Sequence, residues 1–428
     1  MLQKLFHLRA HQTDVRTEVV AGITTFLTMS YILFVNPAIL SSTGMDKGAV
    51  FVATCLAAAL GSLMMALVAN WPVGMAPGMG LNAFFAFAVV GGMGFTWQQA
   101  LGAVFISGLV FLVLTVTGIR SWLIAGIPQS LRSAIVAGIG LFLAIIALSG
   151  AGIVVAHQAT KITLGSLHEP SVLYAILGFF LIAALDALRV RGAILLGILA
   201  VTVIATLNGH NQFAGFFAMP PSLSPTFFKM DLAGAMQTGL LSVIMVFVLV
   251  EVFDATGTLI GVAKRAGLLE DSEKNNLGRA LLADSTAIIA GAALGTSSTT
   301  AYIESAAGVQ AGGRTGLTAL MIAMLFLAAL FISPLAGSVP AYATAPALLY
   351  VAGLMMREFK EINWDEITDA VPAVLTALIM PFTYSIANGL AFGFISYVTL
   401  KTATGKVRSL HPATWLVAIL FLIKFAYF

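Results

Sequence analysis

Charge is what this chain has least of. Asp, Glu, Lys and Arg make up 9% of its 428 residues, whereas 59% are hydrophobic. A soluble domain carries about 25% charged residues, so a soluble globular fold is excluded and a polytopic α-helical membrane protein is expected. An outer-membrane barrel is excluded too. Its strands would alternate polar and apolar residues, but runs such as VLYAILGFFLIAAL are apolar on every face. Cysteine occurs once, at Cys55 in an apolar run, which rules out an internal disulfide and leaves a small buried hydrophobe. The histidines (His7, His11, His157, His168, His210 and His411) all fall in tails or loops. No HExxH, CxxC or GxxxxGK[ST] spacing appears, so metal chemistry and direct ATP drive have no residues to carry them. Intramembrane catalysis lacks a nucleophile–base pair at depth. No catalytic residue, cofactor or metal is expected, nothing points to nucleic acid, and the polar, basic start shows no cleavable signal.

The apolar runs fall at 18–40, 50–70, 78–93, 98–118, 132–150, 171–188 and 192–207. A second series falls at 236–263, 277–295, 299–310, 315–333, 340–356, 368–385 and 387–403. A polar, Pro-containing loop around residue 220 separates them. That predicts fourteen crossings, seven in each half, with 411–428 as a peripheral or interfacial helix. With the N-terminus in the cytoplasm, 17 of the 21 Lys and Arg residues lie inside, Arg120 and Lys274 among them. The outer loops keep Lys47, Lys161 and Lys229, and Lys424 lies in the last stretch. This asymmetry fits the positive-inside rule. An odd number of segments per half turns the second half upside down relative to the first, a recurrent plan for secondary transporters.

Two segments are poor continuous helices. ANWPVGMAPGMGLNAFFAFAVVGG is dense in Gly and Pro, and GAALGTSSTTAYIESAAGVQAGG in Gly, Ser and Thr; each is third in its half. Matching interrupted segments point to a midplane site, because irregular backbone at that depth needs protein or a cavity to satisfy it. An extended stretch leading into a half-helix is predicted in each, with Asn82 and Glu304 at similar places. Half-helix N-termini offer free N–H groups and a positive dipole end.

The rare charges inside apolar sequence are the candidate site. Glu251 lies in LLSVIMVFVLVEVFDATGTLIGVA, with Asp254 three residues later on roughly the same face, and Glu304 lies in GTSSTTAYIESAAGV. A charge at the bilayer centre costs at least a few kcal/mol, so these acids mark function. Carboxylates this close in a poor dielectric cannot all ionise together, which suits a proton-coupled carrier. A carboxylate also accepts two adjacent N–H groups from a flat heterocycle. Asp284 is a further proton-coupling candidate. Asn82, Phe84 and Thr300 are further substrate-binding candidates: an orienting amide, a stacking ring and a hydroxyl of the interrupted segment. One of Ser297, Ser298, Thr299 and Thr300 is expected to cap the half-helix.

At VEVFDATGTLIGVAKRAGLL, GTSSTTAYIESAAGVQAGGRTGLTAL, APGMGLNAFFAF and GITTFLTMSYILFVNPAIL, the chain resembles the AzgA-like purine nucleobase permeases of the nucleobase–cation symporter-2 superfamily. The resemblance implies a 7+7 inverted repeat with a core domain (1–118 and 221–335) and a gate domain (119–220 and 336–428). It implies proton-coupled import of adenine, guanine or hypoxanthine by an elevator-like movement, in a homodimer in the inner (plasma) membrane. Carried over by position, it matches Glu251 and Asp254 on the eighth segment, Glu304 on the tenth, Asn82 on the third and Asp284 on the ninth. It departs at Glu251, where that branch often has Asp. Carriers of the same architecture for uracil, xanthine or an anion are the alternatives, with a channel or intramembrane enzyme as the alternative of another class.

Overall fold

A computed structural model describes residues 2–269 and 275–427. Lys274, counted above among the inner cations, lies outside them. The first half starts with α1 (Val15–Met29) and α2 (Ile32–Ser41), joined through Ser30 and Tyr31, and α3 (Lys47–Met64), capped by the Asp46 carboxylate on the Ala49 N–H at 2.7 Å. Strand β1 (Met75–Pro77) follows, then α4 (Met79–Ala83), which runs on as a wider π-helical stretch to Gly92. Next come α5 (Trp97–Val116), opened by a Thr96–Gln99 capping box, α6 (Ile119–Gly126), α7 (Gln129–Gly150), the β2–β3 hairpin (Val154–His157 and Lys161–Leu164), α8 (Pro170–Ala187) and α9 (Ala193–Leu207).

The second half holds α10 (Thr238–Arg265), α11 (Leu277–Leu294), β4 (Thr299–Ala301), α12 (Ser305–Gln310), α13 (Gly316–Ala329), α14 (Ala341–Met355), α15 (Ile367–Phe382), α16 (Ile386–Ala403) and α17 (Pro412–Tyr427). Every stretch expected to cross contains helix. Eight helices among the described residues are long and apolar enough to cross a membrane by length and composition. The chain is a multi-pass membrane protein.

The helices pack in two groups. One gathers α1, α3, α5, α10, α11 and α13 around the strands; the other gathers α7, α8, α9, α14, α15 and α16. The strands β1 and β4 meet antiparallel in the first group, with Ala76 opposite Thr300. Each strand is three residues long, and Pro77 faces Thr299 at a non-hydrogen-bonded position of the ladder, where its missing N–H takes no bond from the pairing. The ladder's ends are closed by Gly78 N–H to the Ser298 carbonyl at 2.8 Å and Tyr302 N–H to the Gly74 carbonyl at 3.0 Å. The Tyr302 hydroxyl reaches across to the Pro77 carbonyl at 2.6 Å. Irregular backbone is thus satisfied by its counterpart in the other half. At the C-terminus, α17 packs on α16 and α6, with Phe421 fully buried and stacked near Phe394.

Candidate substrate site

The strand crossing positions most of the candidate residues. Glu251 is 1% exposed on α10 and accepts a hydrogen bond from the Ser298 hydroxyl, just before β4. Its second oxygen, Oε2, has no hydrogen-bond partner among the described residues. One turn on, Asp254 is partly buried and interacts electrostatically with both Asp284 and Glu304. Glu304 closes the stretch between β4 and α12, partly buried, and accepts from the Tyr31 hydroxyl at 2.6 Å. Tyr31 sits between α1 and α2, so that junction delivers a donor to the stretch between β4 and α12. The structure therefore brings Glu251, Asp254, Asp284 and Glu304 into one neighbourhood.

Thr300 lies in β4 and donates to Asp284 Oδ1 at 3.4 Å. Asn82 is fully buried in α4, and neither atom of its amide has a partner among the described residues. Counting from the first strand residue of each half, Gly80 rather than Asn82 is the counterpart of Glu304, so the similarity of place is off by two residues. Phe84 is fully buried, its ring edge-to-face with Phe247 at 5.2 Å. Phe247 lies one turn before Glu251, so the Phe84 ring backs the helix that carries the acid. No Ser or Thr caps α12: its N-cap is Glu304, without a side-chain bond, while Ser298 and Thr300 turn to Glu251 and Asp284.

The greatest departure from expectation is Arg120. Counted with the inner loops, it is instead 1% exposed, and it meets Asp284 Oδ2 at 3.2 Å. Asp284 is correspondingly deep, 0% exposed. No metal-binding group of His, Cys, Asp and Glu occurs among the described residues.

A family model described as Permease family (Xan_ur_permease) matches residues 16–392. The chain belongs to that family. This permease is 50% identical to adenine permease AdeP of Escherichia coli (strain K12) over 428 residues, covering 100% of this chain and 96% of the relative. It is 46% identical to guanine/hypoxanthine permease PbuO of Bacillus subtilis (strain 168), covering 98% and 99%. Its fold is that of the transmembrane domain of the cyanobacterial bicarbonate transporter BicA, with a TM-score of 0.67 at 17% identity over 88% of this chain and 97% of that one. The permease is a transporter and not an enzyme.

Sequence reasoning missed two partners of the permease's buried acids, Arg120 and Tyr31, and one further buried acid, Glu18. Arg120 left one readable trace, a lone cation inside the apolar stretch VTGIRSWLIAGIP. Tyr31 and Glu304 are 273 residues apart, a separation no local pattern encodes. Glu18 is the first residue of the run 18–40, beside the polar start of the chain. It is fully buried, accepting from the backbone N–H groups of Arg314, Thr315 and Thr318.

Proposed function

We propose that the permease imports purine nucleobases, among them adenine, guanine or hypoxanthine, coupled to protons. The observation that carries this reading is the convergence of Glu251, Asp254 and Glu304 beside the β1–β4 crossing, with Glu251 Oε2 unpaired. Unpaired, buried carboxylate oxygens suit the N–H edge of a flat heterocycle, and the purine names of relatives near half identity agree with it. Glu304 and Glu251 bind that edge, with Asn82 and Thr300 orienting the ring and Phe84 backing the pocket. Protonation of one member of the set Glu251, Asp254 and Glu304 accompanies loading, and Asp284, which meets Arg120, tunes that set from alongside. An anion substrate fits this neighbourhood poorly, since four carboxylates face one arginine there.

The two helix groups support a core (1–118 and 221–335) moving elevator-like against a gate (119–220 and 336–428). We place the permease in the inner (plasma) membrane with its N-terminus in the cytoplasm, as a homodimer. The test is uptake of labelled adenine, guanine, hypoxanthine, xanthine and uracil in cells without their own nucleobase carriers, with and without a protonophore. Purine uptake abolished by the protonophore is expected. Uptake indifferent to it removes proton coupling, and uptake confined to uracil removes the purine assignment. Glu304→Gln is expected to abolish uptake with the protein still inserted; unchanged transport rejects its role.

A further inference from the structure

Arg120 is a buried, many-bonded side chain that the transport reading leaves without a role. Its Nε and Nη2 donate to Thr256 Oγ1 at 3.1 and 2.9 Å, and Nη2 also donates to Asp284 Oδ2 at 3.2 Å. Nη1 donates to the Leu281 carbonyl at 3.3 Å and to Thr115 Oγ1 at 3.4 Å. These contacts use all five N–H donors of a guanidinium. Its carbon end lies 4.0 Å from the centre of the Phe111 ring. One side chain on the eight-residue helix α6 thereby joins α5, α10 and α11.

The partners are the ones that set the site's geometry. Thr256 is on α10, two residues past Asp254. Asp284 holds Thr300 of β4 through its other oxygen, and Thr300 lies opposite Ala76 in the ladder. A chain of contacts thus runs from α6 through Arg120 and Asp284 to the strand crossing. The other end of α6 is fixed elsewhere: the Thr414 hydroxyl of α17 donates to the Gly126 carbonyl at 2.6 Å, and the Trp122 ring lies 5.3 Å from that of His411.

We propose that Arg120 is a positioning residue for the substrate site, fixing Asp284, and through it Thr300 and β4, in the place that substrate binding requires. On this assignment Asp284 is the counter-ion of Arg120 and not a proton carrier. Proton exchange stays with Glu251, Asp254 and Glu304. Because every donor is used in a fixed fork, lysine cannot replace arginine here. The inference deepens the transport reading above and rests on it for its kinetic test.

The experiment compares Arg120→Lys, Arg120→Gln, Asp284→Asn and the double variant Arg120→Gln with Asp284→Asn. Purine uptake is normalised to the protein present in the membrane. Arg120→Lys and Arg120→Gln should raise KM by about 10- to 100-fold, the scale of a misplaced binding group. The double variant, which leaves no unpaired buried charge, should return KM to within about threefold of the parent, a residue of non-additivity expected for one network. Amide exchange of the segment 296–304 should quicken in Arg120→Gln and slow again in the double variant, whatever substrate is carried. A parent that takes up no purine sinks the transport reading, and the exchange measurement still decides this one. The proposal is overturned if the Arg120 variants lower only the amount of protein, with KM and exchange of 296–304 unchanged. It is equally overturned if the double variant is no better than Arg120→Gln, because Asp284 would then be needed for itself.

Discussion

Glu18 and Glu251 are the same residue at the same depth, 0% and 1% exposed, on the first long helix of each half. Their surroundings differ. Glu18 accepts from the N–H groups of Arg314, Thr315 and Thr318 at 2.9, 3.3 and 3.2 Å and from the Thr318 hydroxyl at 2.6 Å. Three of those donors belong to the start of α13, where a helix leaves its first N–H groups without partners and its dipole favours a negative charge. Glu251 has the Ser298 hydroxyl on one oxygen and no hydrogen-bond partner among the described residues on the other. Burial does not separate a structural acid from a functional one; satisfaction does. A fully bonded buried acid stabilises the fold, and one left with a free acceptor is a place where function outweighs stability.

The comparison breaks if the two residues respond alike. Glu18→Ala is expected to have the largest effect. It leaves the Arg314 and Thr315 N–H groups without their acceptor, while Thr318 keeps the Thr315 and Glu18 backbone carbonyls; at about 1–3 kcal/mol for each unsatisfied group, a loss of about 3–5 kcal/mol follows. Thermal unfolding in detergent should show it as a large fall in Tm, while surviving molecules keep their KM. An altered KM with an unchanged Tm would move Glu18 into the site. Glu251→Gln should do the reverse: uptake per molecule falls about 100-fold, or about 2.7 kcal/mol, with Tm within a few degrees of the parent. A collapse of Tm without loss of affinity would make Glu251 a structural residue.

The strand crossing can be probed without touching an acid. Gly78 has φ −74°, so its backbone suits any residue, and only space is at issue. An added Cβ would lie 2.9 Å from Thr300 Cγ2. Gly78→Ala should therefore push β4 away from β1 at a cost of about 1–3 kcal/mol and weaken substrate binding along with it. Gly353 in α14 has nothing among the described residues within 4 Å of its added Cβ, its chain neighbours and own helix backbone aside. Gly353→Ala should stabilise by about 0.5–1 kcal/mol and leave transport unchanged. Equal tolerance at both positions would mean that the crossing is loosely packed.

What could be read from the sequence follows the same division. Hydrophobic length located the helices, and Gly, Pro, Ser and Thr in apolar surroundings marked the stretches that hold β1 and β4, because each is a local property. Glu251, Asp254 and Glu304 stood out because charge is rare in such a chain. Their partners did not. Ser298 lies 47 residues from Glu251, and Asp284 lies 164 from Arg120, and nothing local links them. A rule that assigns every cation to a membrane face sends Arg120 to the surface by construction. Proximity to a polar, basic tail likewise disguises Glu18 as a solvated residue. The pairing of β1 with β4 depends on the two halves folding against one another, which neither half encodes by itself.

The smallest effect should come from an acid that is satisfied but not buried. Glu366 caps α15 and accepts from Lys406 Nζ at 2.6 Å and from the Thr368 hydroxyl at 2.8 Å, with the pair one-third to one-half exposed. The bond from Lys406, aided by those from Thr368, holds its carboxyl down to about 2, from an ordinary 4.5. A depressed value in the folded state means that the stabilisation is complete above the ordinary value and is lost as pH falls through that window towards about 2. Glu366→Gln should flatten the pH dependence of Tm in that window alone. At neutral pH its Tm should stay close to the parent's, and the difference should shrink as salt is added, because exposed pairs contribute little and are screened. A neutral-pH loss as large as that of Glu18→Ala would show that satisfaction outweighs burial even in water. A negligible loss confines the contrast between Glu18 and Glu251 to the interior, where an unmade hydrogen bond has no solvent to replace it.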